Sequence, residues 1–179
     1  NVIFNKNRKQ TFSEEKILNE LKTMFNLKNI FLFDNGLVED DTDGHVDNIA
    51  CFVDERKVLA LACKDKEDPF YDKINENLEI LKNSVGADGH QLEIIEMEMS
   101  YKRLIPNDDE PSSYINFYIA NNGIVMPSFD DERADENAQN IIKSLFPKRK
   151  IRAINGIDIS LGGGNMHCIT QQQPISIYK

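Results

Sequence analysis

The chain has 179 residues, 40% of them hydrophobic and 28% charged, a composition typical of a folded domain and unlike a disordered chain. Its 30 acidic and 21 basic residues give a formal net charge of -9, which argues against nucleic acid or an anionic membrane as the main partner. Three cysteines without framework spacing, and no apolar run long enough to cross a bilayer, predict a reducing, cytoplasmic location.

Three helices are predicted from apolar residues that recur at helical spacing. The first follows a capping box of Thr11 and Glu14, with Ser13 as the alternative cap. The second is expected to begin at Asp68, just before a proline that suits a first helical turn, and the third near Asp131. In each of the three, the apolar residues align on one helical face.

Short runs rich in β-branched and aromatic residues predict strands between these helices. The runs cover residues 29–33, 45–53, 57–63, 91–97, 113–120, 123–127, 150–155 and 165–171. From residue 45, and again from residue 113, the elements follow the order strand, strand, helix, strand. Two full units therefore begin 68 residues apart, with an incomplete unit before and after them, and predict an α/β array. Residues 100–111 are expected to form a surface loop between the units.

The first candidate site is the acidic stretch EDDTDGHVDN at residues 39–48. His45 and Asp47 are two residues apart at the mouth of a predicted strand, so their side chains are expected on one face, about 7 Å apart. An imidazole beside a carboxylate can act as a general acid/base next to a cation site. A solvated acidic turn is the alternative. An EF-hand loop is excluded, because its position 12 would be Ala50 rather than Glu.

The second candidate site is a glycine-rich stretch that leads to Cys168. Three glycines permit a close backbone approach and can present a thiol at the start of a strand: Gly162, Gly163 and Gly164. A phosphate-binding loop is excluded, because no Gly-Lys-Ser/Thr follows. His167 and Cys168 are expected on opposite faces of the strand, which argues against a zinc site. A buried structural cysteine remains the alternative for Cys168.

The other two cysteines, Cys51 and Cys63, lie in apolar strands and are expected to be core thiols. Spacing alone therefore leaves one candidate set, made of Cys168, His45 and Asp47, with no metal site and no cofactor loop. This set predicts a thiol-dependent enzyme without fixing its substrate.

Three stretches resemble the agmatine deiminase family of guanidine-modifying (pentein) enzymes, which also holds bacterial-type peptidylarginine deiminases. They are DTDGHVDN at 41–48, SYINFYIAN at 113–121 and GGGNMHCITQQQP at 162–174. The resemblance runs over essentially the whole chain and implies a five-bladed α/β propeller of ββαβ units around a central channel. Residues 1–44 would then end one blade, 45–99 and 112–157 would be blades, and 162–179 would hold the nucleophile strand.

The resemblance also implies residue roles. Cys168 would be the nucleophile, His45 the general acid/base and Asp47 a carboxylate that grips the guanidinium, while the three glycines shape the nucleophile loop. The reaction implied is hydrolysis of agmatine to N-carbamoylputrescine and ammonia, in polyamine metabolism, through a covalent thiouronium. A guanidinium is planar and always charged, so a carboxylate can bind it through two hydrogen bonds, and no metal or cofactor is needed.

Alternative functions remain open on the sequence. They are a peptidylarginine or free-arginine deiminase, a catalytically inactive half-propeller subunit and a polyamine-binding module. Family chains are about twice this length, and the chain opens at Asn1 without an initiator Met, which we interpret as a processed or cut chain. Further active-site carboxylates, one of them a Glu that supports the catalytic His, are then expected upstream. The expected partners are a small cationic guanidine and the missing N-terminal half, with homo-oligomerisation left open.

Overall fold

A computed structural model describes residues 3–4, 11–33, 36, 44–102 and 112–173 as parts of a mixed α/β protein. The helices are α1 (Glu14–Phe25), α2 (Tyr71–Lys82), α3 (Glu132–Leu145) and α4 (Ile157–Ser160), with a short 3-10 helix at Val46–Asn48. The strands are β1 (Ala50–Phe52), β2 (Lys57–Ala62), β3 (Glu93–Glu98), β4 (Tyr118–Ile119), β5 (Gly123–Ser128) and β6 (Lys150–Asn155). Not one of the helices in these ranges has the length and apolar character that crossing a membrane requires.

The strands form two three-stranded sheets of the same design. In the first, β2 lies between antiparallel β1 and parallel β3, and α2 connects the parallel pair. In the second, β5 lies between antiparallel β4 and parallel β6, and α3 makes the connection. A parallel pair needs a crossover of this kind, because its strands run the same way. The predicted order of strand, strand, helix, strand is therefore confirmed in both units.

The core of the first unit is built where the central strand β2 meets α2. Every residue of β2 after Lys57 is buried, as expected for a strand covered on both faces. The buried side chains of α2 against it include Ile74, Leu78 and Leu81, which recur at helical spacing. Ala138 of α3 belongs to the same cluster of buried residues. The two units thus share one continuous core.

The helix boundaries follow from local caps. Ser13, not Thr11, caps α1, because its hydroxyl accepts the Lys16 N–H at 3.3 Å. Asp131 caps α3 by accepting the Ala134 N–H at 3.2 Å. The second helix begins at Tyr71, three residues later than predicted. The delay occurs because the Asp68 carboxylate accepts the Phe70 N–H in a turn that precedes the helix.

Two predicted strands, 29–33 and 165–171, are wrong. Within the described residues neither range pairs with a neighbouring strand, and a strand depends on such pairing whatever its own sequence favours. Residues 29–33 follow an irregular path instead, with the Asn29 amide donating to the carbonyls of Val85 and Gly86. The proposed nucleophile strand at 162–179 is thus replaced by turns where the structure describes it, up to residue 173.

Two further strands are shorter than predicted, because each is preceded by a turn. The 3-10 helix at Val46–Asn48 replaces the first part of the predicted strand 45–53. A turn at residues 114–115 replaces the start of the predicted strand 113–120. The acidic residues 39–43 and most of the predicted loop, residues 103–111, lie outside the described residues.

Candidate active site

The site forms where two turns from distant parts of the chain meet. Asp47 lies in the 3-10 helix ahead of β1, and Cys168 lies in the turn at residues 166–169. The Cys168 thiol donates to Asp47 Oδ2 across 3.2 Å. The structure therefore brings two of the three candidate residues into direct contact.

His167 joins the same carboxylate and was missed as a site residue. Its Nδ1 lies 2.7 Å from Asp47 Oδ2, so the two form an ion pair when the imidazole is protonated. His167 and Cys168 were expected on opposite faces of a strand, and that prediction is wrong. Because the segment is a turn, successive side chains are not forced to alternate, and both reach Asp47.

The second oxygen of Asp47 is buried and unsatisfied. Oδ1 has no hydrogen-bond partner among the described residues, whereas Oδ2 accepts from both Cys168 and His167. A buried carboxylate oxygen without a partner is costly. The unpartnered Oδ1 is therefore suited to accept a hydrogen bond from a cationic N–H donor.

His45 shares a cavity with two of the site residues. This cavity has a volume of about 370 Å³ and is lined by His45, Asp47 and His167. No hydrogen bond connects the His45 ring to Cys168 in the part of the chain that the structure describes. The predicted strand under His45 is wrong, since the residue directly precedes the 3-10 helix, but His45 and Asp47 do line the same cavity.

The rest of the cavity wall is mainly apolar. It contains no lysine or arginine among its described residues, which besides the three polar groups are Ile3, Phe31, Leu32, Phe33, Gly44, Val46 and Ile49. The segment 31–33, which failed to form a strand, thus provides part of the apolar wall. A cavity lined by a carboxylate together with aliphatic and aromatic side chains suits a cation with a hydrocarbon chain.

Asn116 was also missed, although it belongs to a stretch that carried the family resemblance. It is fully buried, and its Oδ1 accepts the backbone N–H groups of His167 at 2.9 Å and Cys168 at 3.3 Å. Its Nδ2 donates to Cys168 Sγ and to Asn48 Oδ1, each at 3.0 Å. In the sequence, Asn116 is one amide within an otherwise apolar run, and residue spacing alone did not identify it as a site residue.

The glycines before the thiol have different local environments. Gly163 has φ 85°, in the left-handed region that favours glycine. A Cβ on Gly164 would lie 2.7 Å from the Cys168 Cβ and 2.9 Å from its Sγ. A Cβ on Gly162 would meet only the Ile159 carbonyl, at 3.3 Å. Gly164 is therefore the glycine whose missing side chain makes room for the thiol.

The electrostatics of the site favour the protonated thiol when no cation is bound. Burial raises the pKa of Cys168, and the Asp47 carboxylate raises it further. Hydrogen bonds from the Asn165 backbone and the Asn116 side chain act in the opposite direction but do not cancel the increase in that pKa. In the described ranges no group of three His, Cys, Asp or Glu residues is arranged to hold a metal ion.

The other cysteines lie within the folded units. Cys63 is buried in the core, and half-buried Cys51 packs against the same core, as predicted for core thiols. Burial and the Asp47 carboxylate raise the pKa of Cys51 as well. Cys168 differs from both because its residue is exposed. It is also hydrogen-bonded to Asp47, which lines the cavity.

Comparisons with known proteins agree on one family. The model of the Porphyromonas-type peptidyl-arginine deiminase family matches residues 1–174. A Legionella pneumophila protein named provisionally as an agmatine deiminase is 43% identical over 174 residues, which cover 97% of this chain and 50% of that protein. The agmatine deiminase of Medicago truncatula is 35% identical over 192 residues, covering 96% of this chain and 51% of that protein.

A solved structure shows the same relationship. The agmatine deiminase of Enterococcus faecalis superimposes with a TM-score of 0.82 at 29% identity, covering 91% of this chain and 49% of the other. The chain spans about half the length of the curated relatives it matches.

Proposed function

Since the chain belongs to the Porphyromonas-type peptidyl-arginine deiminase family, we propose that it carries the cysteine side of a site that hydrolyses the guanidinium group of agmatine. The observation that carries this proposal is that the two carboxylate oxygens of Asp47 have different surroundings. One oxygen contacts the Cys168 thiol at 3.2 Å, and the other is buried and open to a donor. A guanidinium bound to the open oxygen would bring its carbon close to the sulfur.

The cavity wall favours agmatine over free arginine. Agmatine has a guanidinium on an aliphatic chain and lacks the carboxylate of arginine. The described wall has apolar side chains for that chain and no lysine or arginine to pair with a carboxylate. The names of the Medicago truncatula and Enterococcus faecalis relatives support the same substrate.

The proposed chemistry has two stages. When substrate binds, the Cys168 thiol releases its proton to solvent, and the sulfur attacks the guanidinium carbon. A C–N bond breaks, and the nitrogen leaves as ammonia after receiving a proton. Water then attacks the resulting thiouronium carbon, the C–S bond breaks, and N-carbamoylputrescine leaves, while one of the two water protons returns to the sulfur and restores the thiol. His45 gives the proton to the leaving nitrogen and later takes one from the water, as a general acid and then a general base.

Bound substrate is itself part of this proposal. The Asp47 carboxylate and burial keep the pKa of Cys168 high, so the free thiol is a poor nucleophile. A guanidinium on Asp47 would offset the negative charge and add a positive one beside the sulfur. The thiolate would then form mainly when substrate is present.

The rest of the proposal concerns the larger protein. We place the two ββαβ units in a five-bladed propeller whose other blades form the opposite side of the site. That N-terminal half would contribute further carboxylates to the guanidinium and a Glu to support His45. The match of this chain to half of each relative supports this arrangement.

The test is a substrate comparison on the full-length product of the natural gene. Agmatine, arginine and a peptide with internal arginine are assayed for ureido product, and mass spectrometry searches for an adduct on Cys168. We expect turnover of agmatine and a Cys168 adduct, both lost in Cys168→Ser and both kept in Cys63→Ala. Agmatine that binds without ureido product would instead identify a polyamine-binding module.

The family description favours one second candidate, a peptidyl-arginine deiminase. The same assay separates the two functions, because that enzyme would prefer the peptide over agmatine. If the peptide is turned over and agmatine is not, the proposed substrate is wrong, whereas the proposed chemistry at Cys168 still stands.

A further inference from the structure

A second cavity lies between α3 and the edge strand β6. It has a volume of about 410 Å³ and shares no described lining residue with the cavity beside Asp47. Glu136 is the one acidic residue in its described wall. Half of the described lining residues are basic: Lys143 of α3, Arg149 just before β6, and Lys150 and Arg152 of β6. This wall is therefore strongly positive, although the whole chain has a formal net charge of -9.

The part of the wall that α3 provides is polar throughout. Its members recur three or four residues apart, so they share one helix face: Glu136, Gln139, Asn140 and Lys143. The buried residues of the same helix, Ala138 and Ile142, are different ones. Ile151 is the one apolar residue in the described wall. The cavity therefore suits a ligand that is charged and forms hydrogen bonds.

The four basic side chains lack a neutralising carboxylate. Within the described ranges, no ion pair joins any of them to an aspartate or glutamate. The guanidinium of Arg149 donates to the main-chain carbonyls of Ala120 and Asn121 and lies 5.9 Å from the centre of the Phe146 ring, contacts that leave its positive charge in place. Like charges gathered in one wall repel each other, and a bound anion would relieve that repulsion.

The first unit shows how charges on the equivalent strand are balanced. Each glutamate of β3, the counterpart of β6, pairs with a lysine: Glu93 with Lys57 at 3.3 Å, Glu96 with Lys82 at 3.1 Å and Glu98 with Lys64 at 2.9 Å. On β6 the sign of the charge is reversed, and β5 supplies no balance. Lys150 lies opposite Gly123, and Arg152 lies opposite Val125. The unbalanced charge is thus a property of the second unit and is not a requirement of the shared design.

We propose that this cavity is a binding site for a small phosphate-bearing anion with several negative charges, held by Lys143, Lys150 and Arg152. Guanidinium and ammonium groups are the usual protein partners of phosphate oxygens. The volume suits a small molecule, and the net negative charge of the chain opposes a long polyanion such as nucleic acid. The proposal does not rest on the proposed function, since it uses no residue of the site around Cys168.

The experiment measures the binding of pyrophosphate to the full-length natural protein by isothermal titration calorimetry, at constant ionic strength and without divalent metal ions. We expect saturable binding of one pyrophosphate per chain. Lys143→Gln, Lys150→Gln and Arg152→Gln should each weaken binding about 10-fold or more, the size typical of one charge-assisted contact. Arg152→Lys keeps the positive charge and should lose less affinity than Arg152→Gln.

Lys82→Gln is the matched control, because Lys82 lies in the last turn of α2 as Lys143 lies in the last turn of α3. Both changes remove one positive charge from the chain, and we expect Lys82→Gln to keep the wild-type affinity. Equal losses in the two variants would show a general effect of charge and would overturn the proposal. Failure of the folded full-length protein to bind pyrophosphate saturably would also overturn it, since another part of the protein would then neutralise this wall. Circular dichroism of each variant separates weaker binding from unfolding.

Discussion

At the scale of single residues, Asp47 combines two effects that oppose each other in the free site. Its Oδ2 accepts from the Cys168 thiol and from His167, and the carboxylate keeps the thiol protonated. Its Oδ1 is unpartnered among the described residues and is the proposed guanidinium contact. Replacing this carboxylate should therefore lower the pKa of the Cys168 thiol and make it more reactive. The same change should reduce turnover of the proposed guanidinium substrate.

Asp47→Asn tests this separation directly. Without the negative charge the pKa of Cys168 should fall, so alkylation by iodoacetamide at neutral pH should become faster than in the wild type. Agmatine turnover should fall about 100-fold or more, because a charge-assisted contact to the guanidinium is lost. The exposed Asp54→Asn is the control and should change neither rate. Slower alkylation in Asp47→Asn would contradict the assigned effect of the carboxylate.

The pH dependence of the wild-type thiol follows from the same contacts. Because burial and Asp47 raise the pKa of Cys168, the folded state holds this proton more tightly than the unfolded state does. The resulting contribution to stability is present below the ordinary thiol pKa and is lost as the pH rises through the higher folded value. Alkylation should therefore reach its midpoint above the ordinary thiol pKa, and a saturating unreactive guanidinium should move the midpoint down. A midpoint that the cation leaves unchanged would show that it does not bind beside the sulfur.

Gly164 gives a steric prediction for the same sulfur. In Gly164→Ala the new Cβ would lie 2.7 Å from the Cys168 Cβ, closer than real contacts allow, so the thiol must move. Agmatine turnover should fall about 100-fold, since displacement of a reacting atom by about 1 Å has effects of that size. Gly162→Ala is the matched control, because its Cβ meets one carbonyl at 3.3 Å. Equal activity of the two variants would contradict the role of Gly164.

At the scale of elements, α3 is tied to the turn that carries Asn116. The hydroxyl of fully buried Tyr114 donates to Asp135 Oδ1 at 2.7 Å, and the Phe129 N–H donates to the same oxygen at 2.9 Å. The carboxylate of one helical residue thus anchors the turn before β4 and the end of β5. The pKa of Tyr114 is raised by burial and by Asp135, so the hydroxyl keeps its proton as a donor.

Tyr114→Phe should lower the free energy of unfolding by about 1–2 kcal/mol, because it removes a buried hydrogen bond to a charged group while keeping the ring. Urea denaturation of the full-length protein measures the change. Tyr118→Phe, at a half-buried position in β4, is the control and should cost less. An unchanged midpoint in Tyr114→Phe would mean that the bond to Asp135 adds no net stability.

The elements that sequence analysis predicted well are those with local causes. The strand at Lys150–Asn155 has its predicted bounds, and α3 follows its cap at Asp131. The ranges 29–33 and 165–171 have the composition of strands, but pairing depends on neighbours that are distant in the sequence. The error at 165–171 shares a further cause with the shortened strands at 45–53 and 113–120, because the polar motifs of all three ranges lie in or beside turns.

The same cause limited the prediction of the site. Cys168 and Asp47 were found because their chemistry is distinctive, and the structure brings them into contact. His167 was discarded because a strand would turn it away from Cys168, and the observed turn removes that argument. Asn116 gave no signal from spacing, since its importance depends on a fold that joins residues 48, 116 and 168.

At the scale of the whole molecule, the described residues provide one carboxylate for the proposed guanidinium site. Such a cation has N–H donors spread around a plane, and a tight site needs acceptors on more than one edge. Asp47 is the one carboxylate in the described wall of the cavity. The chain also spans about half the length of the curated relatives it matches.

We therefore expect residues 1–179 alone to hydrolyse agmatine about 100-fold more slowly than the full-length natural protein, since orientation by further carboxylates would be missing. Ureido product measured on the two proteins at equal concentration gives the comparison. Circular dichroism and alkylation of Cys168 show whether the shorter chain is folded, so that a loss of activity is not confused with unfolding. Supplying the preceding residues as a separate chain should restore turnover, and a Cys168→Ser chain should not respond. Full activity of residues 1–179 by themselves would place every group that the reaction needs within this chain, and the proposed contribution of a second half would then be wrong.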